Sequence, residues 1–276
     1  MSLCDQVSGL MRGVAADVVA PRFRMLAAHE IAEKSPGEIV TTVDREAERR
    51  LYDGLAALGP GVRIIGEEAA EQDPGLLDCV GSGSVWLIDP LDGTANFAAG
   101  REPFGMMIAR VEDGVPIEGW LLDPLSGRLC HAERGKGATC DGVPVRSEAT
   151  GQALSVAALG THFLSEERRA RVHRHAENHL DIVSVPRCAA ESYPRLVFGR
   201  DDIALFQRIL PWDHAAGALF LTEAGGIVTH WDQTPYRVGG SGVGVLCAAN
   251  EQLWRTAADV LLGVEAGLTE TEHCAS

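Results

Sequence analysis

Two carboxylates three residues apart, Asp89 and Asp92, close an apolar run in Val85-Trp86-Leu87-Ile88-Asp89-Pro90-Leu91-Asp92-Gly93-Thr94. Val85 to Ile88 reads as a buried strand, and an acid ending such a strand needs a partner, because an unpaired buried charge is costly. Pro90 lacks an N–H and has a fixed φ, so strand pairing is expected to stop there. Gly93 allows close backbone approach, and Thr94 can cap a helix while still offering a hydroxyl. Acids at a strand end, followed by free amides at a helix start, suit a hard cation bridging to a phosphate.

Two more acidic sites sharpen this reading. Val62-Arg63-Ile64-Ile65-Gly66 reads as a second short strand, ending in Glu67-Glu68. Far downstream, Leu210-Pro211-Trp212-Asp213-His214-Ala215-Ala216-Gly217 places Asp213 just before a small-residue helix. Each piece also has an ordinary explanation. Asp213 and Asp44 can be helix caps, Gly93-Thr94 a turn and cap, and Glu67-Glu68 exposed acids. In order along the chain, however, Gly66-Glu67-Glu68, Asp89-Pro90-Leu91-Asp92-Gly93-Thr94 and Trp212-Asp213-x-Ala215-Ala216-Gly217 resemble the metal-binding signature of the inositol monophosphatase family, from about Lys34 to about Gly226.

That resemblance implies a Mg²⁺-dependent, lithium-sensitive hydrolase of phosphate monoesters with two or three ions per site. Glu67, Asp89 and the Leu91 carbonyl would hold one ion. Asp89, Asp92 and Asp213 would hold a second, and Glu67 would help hold a third. Asp44 and Thr94 would activate the attacking water, so Asp44, Thr94 and Glu67 are the expected catalytic residues. Asp92, Gly93, Thr94 and Ala189 would meet the substrate, and Lys34 lies where the family carries a lysine-bearing hairpin. The inositol-specific pattern has a glutamate seven residues before Asp213; this chain has Phe206 there, with Gln207 beside it. Arg187-Cys188-Ala189-Ala190-Glu191 resembles the family's Gly-Ser-Ala-Ala segment with substitutions. Strict inositol specificity is therefore not expected. Related branches act on fructose 1,6-bisphosphate, histidinol phosphate or 3′-phosphoadenosine 5′-phosphate, and a non-catalytic regulatory protein on the same scaffold is the alternative of a different class.

The elements needed to position these residues can be read along the chain. Its 276 residues, 46% hydrophobic, can bury one large core or two packed halves. Leu10 to Leu26 reads as helical with a break at Pro21, Ile39 to Val43 as β-prone, and a helix from about Asp44 ends at Gly59-Pro60-Gly61. Lys34 to Glu38 reads as a turn. An antiparallel meander is expected from Pro103 to Arg146, and alternating strands and helices after Gln152. The expected fold class is α+β, sharpened by the resemblance to a layered α/β/α/β/α architecture. A metal-binding half spans 1–148, and 149–276 closes the site and sets substrate choice.

Charge and cysteine usage bound the rest. The net charge of −15, from 39 acidic against 24 basic residues, argues against a nucleic-acid partner. No apolar run reaches membrane-spanning length, and the N-terminus lacks a signal-peptide pattern. The seven cysteines are scattered, with no C-x-x-C pair, which fits reduced thiols and a cytoplasmic location. His175 and His179 have a metal-ligand spacing but charged surroundings, so a solvated helix face is expected. Cys188 reads as a small packed thiol. The expected partners are a small phosphorylated metabolite and, from the resemblance, a second copy of the chain.

Overall fold

The computed structural model describes residues 1–35, 38–59 and 61–263. The chain opens with helix α1 (Leu3–Val14), which widens into a π turn and then tightens into a 3-10 turn that ends at Arg22, just past Pro21. Strands β1 (Ile31–Ser35) and β2 (Glu38–Thr41) pair antiparallel, so Lys34 lies on a strand where a turn was expected. The expected turn residues Pro36 and Gly37 lie outside the described residues, as does the tail from Glu265, expected to fray. Helix α2 (Thr42–Leu58) starts with a capping box in which Thr41 and Asp44 satisfy each other's backbone amides.

A seven-stranded sheet follows. It contains β3 (Arg63–Gly66), then helix α3 (Glu67–Gln72), then β4 (Ser84–Asp92) and helix α4 (Thr94–Ala98). The meander completes it with β5 (Gly105–Glu112), β6 (Val115–Leu122), β7 (Leu129–Glu133), β8 (Gly137–Cys140) and β9 (Val143–Val145), in spatial order β3 to β9. Pro90 does not end β4. The strand continues to Asp92, and its pairing with β5 slips between Asp89 and Asp92. A bulge asks no ladder hydrogen bond of the residue it leaves unpaired, which removes the objection to proline there.

A five-stranded sheet takes up the remainder, with β10 (Ser155–Gly160), helix α5 (Glu166–Ala176), β11 (Leu180–Val183), helix α6 (Ala189–Val197) and β12 (Ile203–Phe206). Helix α7 (Pro211–Glu223), β13 (Ile227–His230), β14 (Val245–Ala248) and helix α8 (Glu251–Ala257) complete it, in strand order β11-β10-β12-β14-β13.

The side-chain period of two sorts each strand between two cores. Trp86, Ile88, Met106, Ile108 and Trp120 face α1 and α2. The alternate residues Val85, Leu87, Met107, Ala109 and Leu121 face α6 and α7. Ala157, Leu159, Ile203, Leu205 and Leu246 turn the other way, toward α5 and α8. The layers are therefore helices, seven-stranded sheet, helices, five-stranded sheet and helices, an α+β fold. Helix α7 is apolar almost all round because it is sandwiched between the sheets.

Candidate active site

Parallel pairing of β3 with β4 sets the first two acids side by side. Gly66 is registered against Ile88, so Glu67 and Asp89 leave adjacent strands at the same level. The bulge returns Asp92 to the same end of the sheet, opposite Gly105. Gly93, at φ 82°, turns the chain into α4, and Thr94 is that helix's first residue. Asp213 is the third residue of α7; Leu210 holds the cap position, and no side chain caps this helix, so the cap reading of Asp213 fails. Lys34, Glu67, Asp89, Asp92, Thr94 and Asp213 all line one cavity of about 520 Å³, and Leu91, Gly93 and Ala189 line it too. Asp213, more than a hundred residues from Asp89 and Asp92, thus converges with them.

Burial raises the pKa of every acid in this group. For Asp89, burial comes first, followed by the charges of Glu67, Asp92 and Asp213. For Asp213, burial is followed by Glu67 and Asp92. Glu67 is pushed up to about 7 by burial, against the pull of Lys34. Asp92 is also raised by burial, although amides led by that of Ala190 pull it down. One oxygen of Asp92 accepts from the Ala190 amide at 2.6 Å and from the Cys188 thiol at 3.1 Å. Asp89 accepts from the Leu91 amide at 3.0 Å. The Lys34 ammonium meets Glu67 at 2.7 Å and Glu68 at 3.1 Å. Burial alone would lower its pKa; Glu67 and then Glu68 outweigh that and raise it.

These donors fit a hard divalent cation in chemistry. They are carboxylate oxygens, with a backbone carbonyl at Leu91, and their mutual repulsion rewards added positive charge. As they stand, no group of three His, Cys, Asp or Glu side chains among the described residues is set to hold an ion. Lys34 occupies Glu67, and amides occupy one oxygen each of Asp89 and Asp92.

Asp44 lies beside this group through a different helix. One oxygen accepts from the Thr41 amide at 2.8 Å and the Thr41 hydroxyl at 2.5 Å. The other faces the Thr94 hydroxyl at 2.9 Å, and that hydroxyl also lies 2.8 Å from the Leu91 carbonyl. Asp44 is 1% exposed, and burial pushes its pKa up to about 6 despite the Thr41 hydrogen bonds. It is both the capping-box acid of α2 and the neighbour of Thr94.

Sequence reasoning missed several residues around this cavity. Glu48 accepts from the amides of Glu68 at 2.8 Å and Ala69 at 2.9 Å, anchoring the start of the helix that carries Glu67. A Cβ on Gly66 would fall 2.2 Å from the Glu48 carboxyl carbon, so only glycine permits that approach. His214 Nε2 donates to the Arg208 carbonyl at 3.0 Å, which leaves Nδ1 to accept from the Tyr193 hydroxyl at 2.9 Å. Burial lowers its pKa to about 4, so this imidazole is neutral. Phe206 stacks on Tyr193 and meets His214 edge-on, making one cavity wall aromatic. Cys188 is more than packing, because its thiol donates to Asp92. Phe206 and Cys188 had been singled out in the sequence, without these contacts; for Glu48 the only signal was its i,i+4 spacing with Asp44 on one helix face. The histidines of α5 stay apart from the cavity, and His173 is instead paired with Thr161 at 2.9 Å.

The model of the inositol monophosphatase family matches residues 5–262. The chain belongs to that family. Inositol-1-monophosphatase of Mycobacterium leprae is 37% identical over 79% of this chain and 76% of its own length. The Thermotoga maritima protein named fructose-1,6-bisphosphatase/inositol-1-monophosphatase is 32% identical over 71% of this chain and 74% of its own. In structure, the Thermotoga maritima IMPase superposes with a TM-score of 0.78 at 25% identity, covering 95% of this chain and 98% of that one. This family member is an enzyme, a phosphatase acting on phosphate monoesters.

Proposed function

We propose that the cavity hydrolyses a small sugar or polyol phosphate monoester with Mg²⁺ as its cofactor. One observation carries this reading: Glu67, Asp89, Asp92 and Asp213, drawn from three remote segments, share one cavity in which burial raises all four pKa values and the charges of the other acids raise those of Asp89 and Asp213 further. With the Leu91 carbonyl they would hold two or three Mg²⁺ ions. When bound, Mg²⁺ supplies charge neutralisation of the phosphate, acidification of water and stabilisation of the leaving oxygen.

The chain's own residues do the rest. Thr94 donates its proton to Asp44, which leaves its lone pairs to accept from the attacking water and aim it at phosphorus. Asp44 thereby holds the Thr94 hydroxyl in its accepting orientation. Gly93 brings the backbone close, and the Thr94 amide donates to a phosphate oxygen. Ala189 leaves space on the far side, and Lys34, once off Glu67, is free to meet a phosphate oxygen. Phe206 offers no hydroxyl acceptor, whereas the Gln207 side-chain oxygen is buried without a hydrogen-bond partner among the described residues, which suits it to a substrate hydroxyl. This favours a broader substrate range than inositol phosphate alone.

The test is phosphate release from β-glycerophosphate and inositol 1-phosphate with Mg²⁺ or with excess chelator. Turnover should require Mg²⁺, disappear in Asp89→Asn and be inhibited by Li⁺. Full activity in excess chelator would overturn the proposal and leave a non-catalytic, regulatory role for the scaffold.

A further inference from the structure

Two cysteines outside the cavity stand opposite one another. Cys130 of β7 and Cys140 of β8 are cross-strand partners in a hairpin whose register continues through His131 with Thr139 and Ala132 with Ala138. Directly opposed residues project from the same face of a sheet, and both thiols pack on the core that faces α6 and α7. The Asp141 amide donates to the Leu129 carbonyl at 2.8 Å, so Leu129 and Asp141 form a hydrogen-bonded pair. Such pairs alternate along an antiparallel ladder, which makes Cys130 and Cys140 a non-hydrogen-bonded pair. That is the closer of the two spacings, with Cα atoms about 4.5 Å apart, inside the range of about 4.4–6.8 Å that a disulfide spans.

The hairpin they join is tied to the helix that carries Asp213. Glu223, in the last turn of α7, accepts from the Gly135 amide at 2.9 Å and the Gly137 amide at 2.9 Å, both at the turn between β7 and β8. Past β8 the sheet ends in the three-residue β9. Sheet margins of this kind open before the core does. The two thiols differ in access: Cys130 is fully buried, whereas Cys140 is half-buried. Burial raises the pKa of both. For Cys130 the Cys140 thiol adds to the rise, for Cys140 the charge of Asp141 does, and Arg128 opposes it in each case. Cys140 is therefore the thiol that meets an oxidant from solvent, and Cys130 is placed to react with it inside the core.

We propose that Cys130 and Cys140 are a modification site at which hydrogen peroxide forms a cross-strand disulfide, stapling the β7–β8 hairpin against α7. The Cys140 thiolate attacks one peroxide oxygen and the O–O bond breaks. The sulfur becomes a sulfenic acid, and the other oxygen leaves as water after taking a proton. The Cys130 sulfur then attacks that of Cys140, its proton leaves with the sulfenic oxygen as a second water, and the S–S bond closes. Two thiols and one peroxide thus give one disulfide and two waters. The raised pKa values slow the first step at neutral pH, so the pair stays reduced unless peroxide persists.

The test treats the full chain with hydrogen peroxide at pH 8.5, blocks the remaining thiols with iodoacetamide and digests with trypsin without reductant. Cleavage after Arg128, Arg134, Lys136 and Arg146 releases 129–134 with Cys130 and 137–146 with Cys140. Mass spectrometry should find these two peptides joined, two hydrogens lighter than their sum, in protein that runs as a single chain on a non-reducing denaturing gel. Dithiothreitol should separate them. The oxidised protein should melt at least about 3 °C above the reduced one. Cys140→Ser should show neither the link nor the rise, whereas Cys4→Ser should keep both. Recovery of the two peptides unlinked, as alkylated thiols or as sulfinic acids, or joined to other cysteines, would overturn the assignment. A link that leaves the melting temperature unchanged would overturn the staple.

Discussion

Replacing Asp44 with asparagine exchanges one carboxylate oxygen for an NH₂ group and should silence the enzyme without unfolding it. The Thr94 hydroxyl has one proton and two acceptors, Asp44 at 2.9 Å and the Leu91 carbonyl at 2.8 Å. An ionised carboxylate is the stronger acceptor, so it takes the proton. In Asp44→Asn, the Thr41 amide and hydroxyl still need an acceptor at 2.8 and 2.5 Å, which fixes the amide oxygen on that side. The new NH₂ then points at Thr94, which must accept from it and give its proton to Leu91. The hydrogen-bond chain reverses, and the attacking water loses the acceptor that orients it. A loss of this kind is worth about 10²–10⁴ in rate, or about 3–5 kcal/mol of transition-state stabilisation. Stability should move the other way. Raising the carboxyl from its ordinary 3.8 to about 6 corresponds to about 3 kcal/mol against the ionised form, and the amide carries no such cost. Weaker hydrogen bonds from Thr41 return about 1 kcal/mol each of that gain. At pH 8, kcat should therefore fall at least a hundredfold while the melting temperature holds or rises. A folded Asp44→Asn protein with kcat within threefold of wild type would refute the Thr94–Asp44 relay.

Without divalent cation, the cavity acids should make the protein less stable as pH rises. Glu48 and Glu67 are raised to about 7 and Asp44 to about 6, so the native state keeps protons that the unfolded chain has already released. Stability then falls between about pH 4 and pH 7; in EDTA the melting temperature should drop at least about 5 °C across that window, and saturating Mg²⁺ should flatten the drop. A flat profile in EDTA would contradict the acid cluster. Lys34→Met removes the ammonium that now occupies Glu67, so calorimetry should show Mg²⁺ binding at least threefold tighter and a less stable cation-free protein; unchanged or weaker binding would show that Lys34 does not compete.

Much of the site was legible because its pieces are local. An apolar run ending in two acids, a glycine and a threonine states a strand, a turn and a helix start within ten residues. Pro90 misled because a bulge tolerates what a regular ladder forbids. Strand β2 fell within the stretch read as β-prone, whereas β1 was missed because five residues at a sheet edge bury too little to show a period.

By itself the sequence determined which acids end strands and begin helices and an α+β pattern, since each depends on neighbours along the chain; the layered architecture was implied by the resemblance that its three motifs carry. Only the tertiary structure decided which partners those acids have. The Ala190 amide reaches Asp92 across 98 positions and Glu48 reaches the Glu68 amide across 20, distances at which no local pattern carries information. The same holds for Lys34 on Glu67. Burial sets the protonation of these groups, and burial exists only once the two sheets have closed around helix α7.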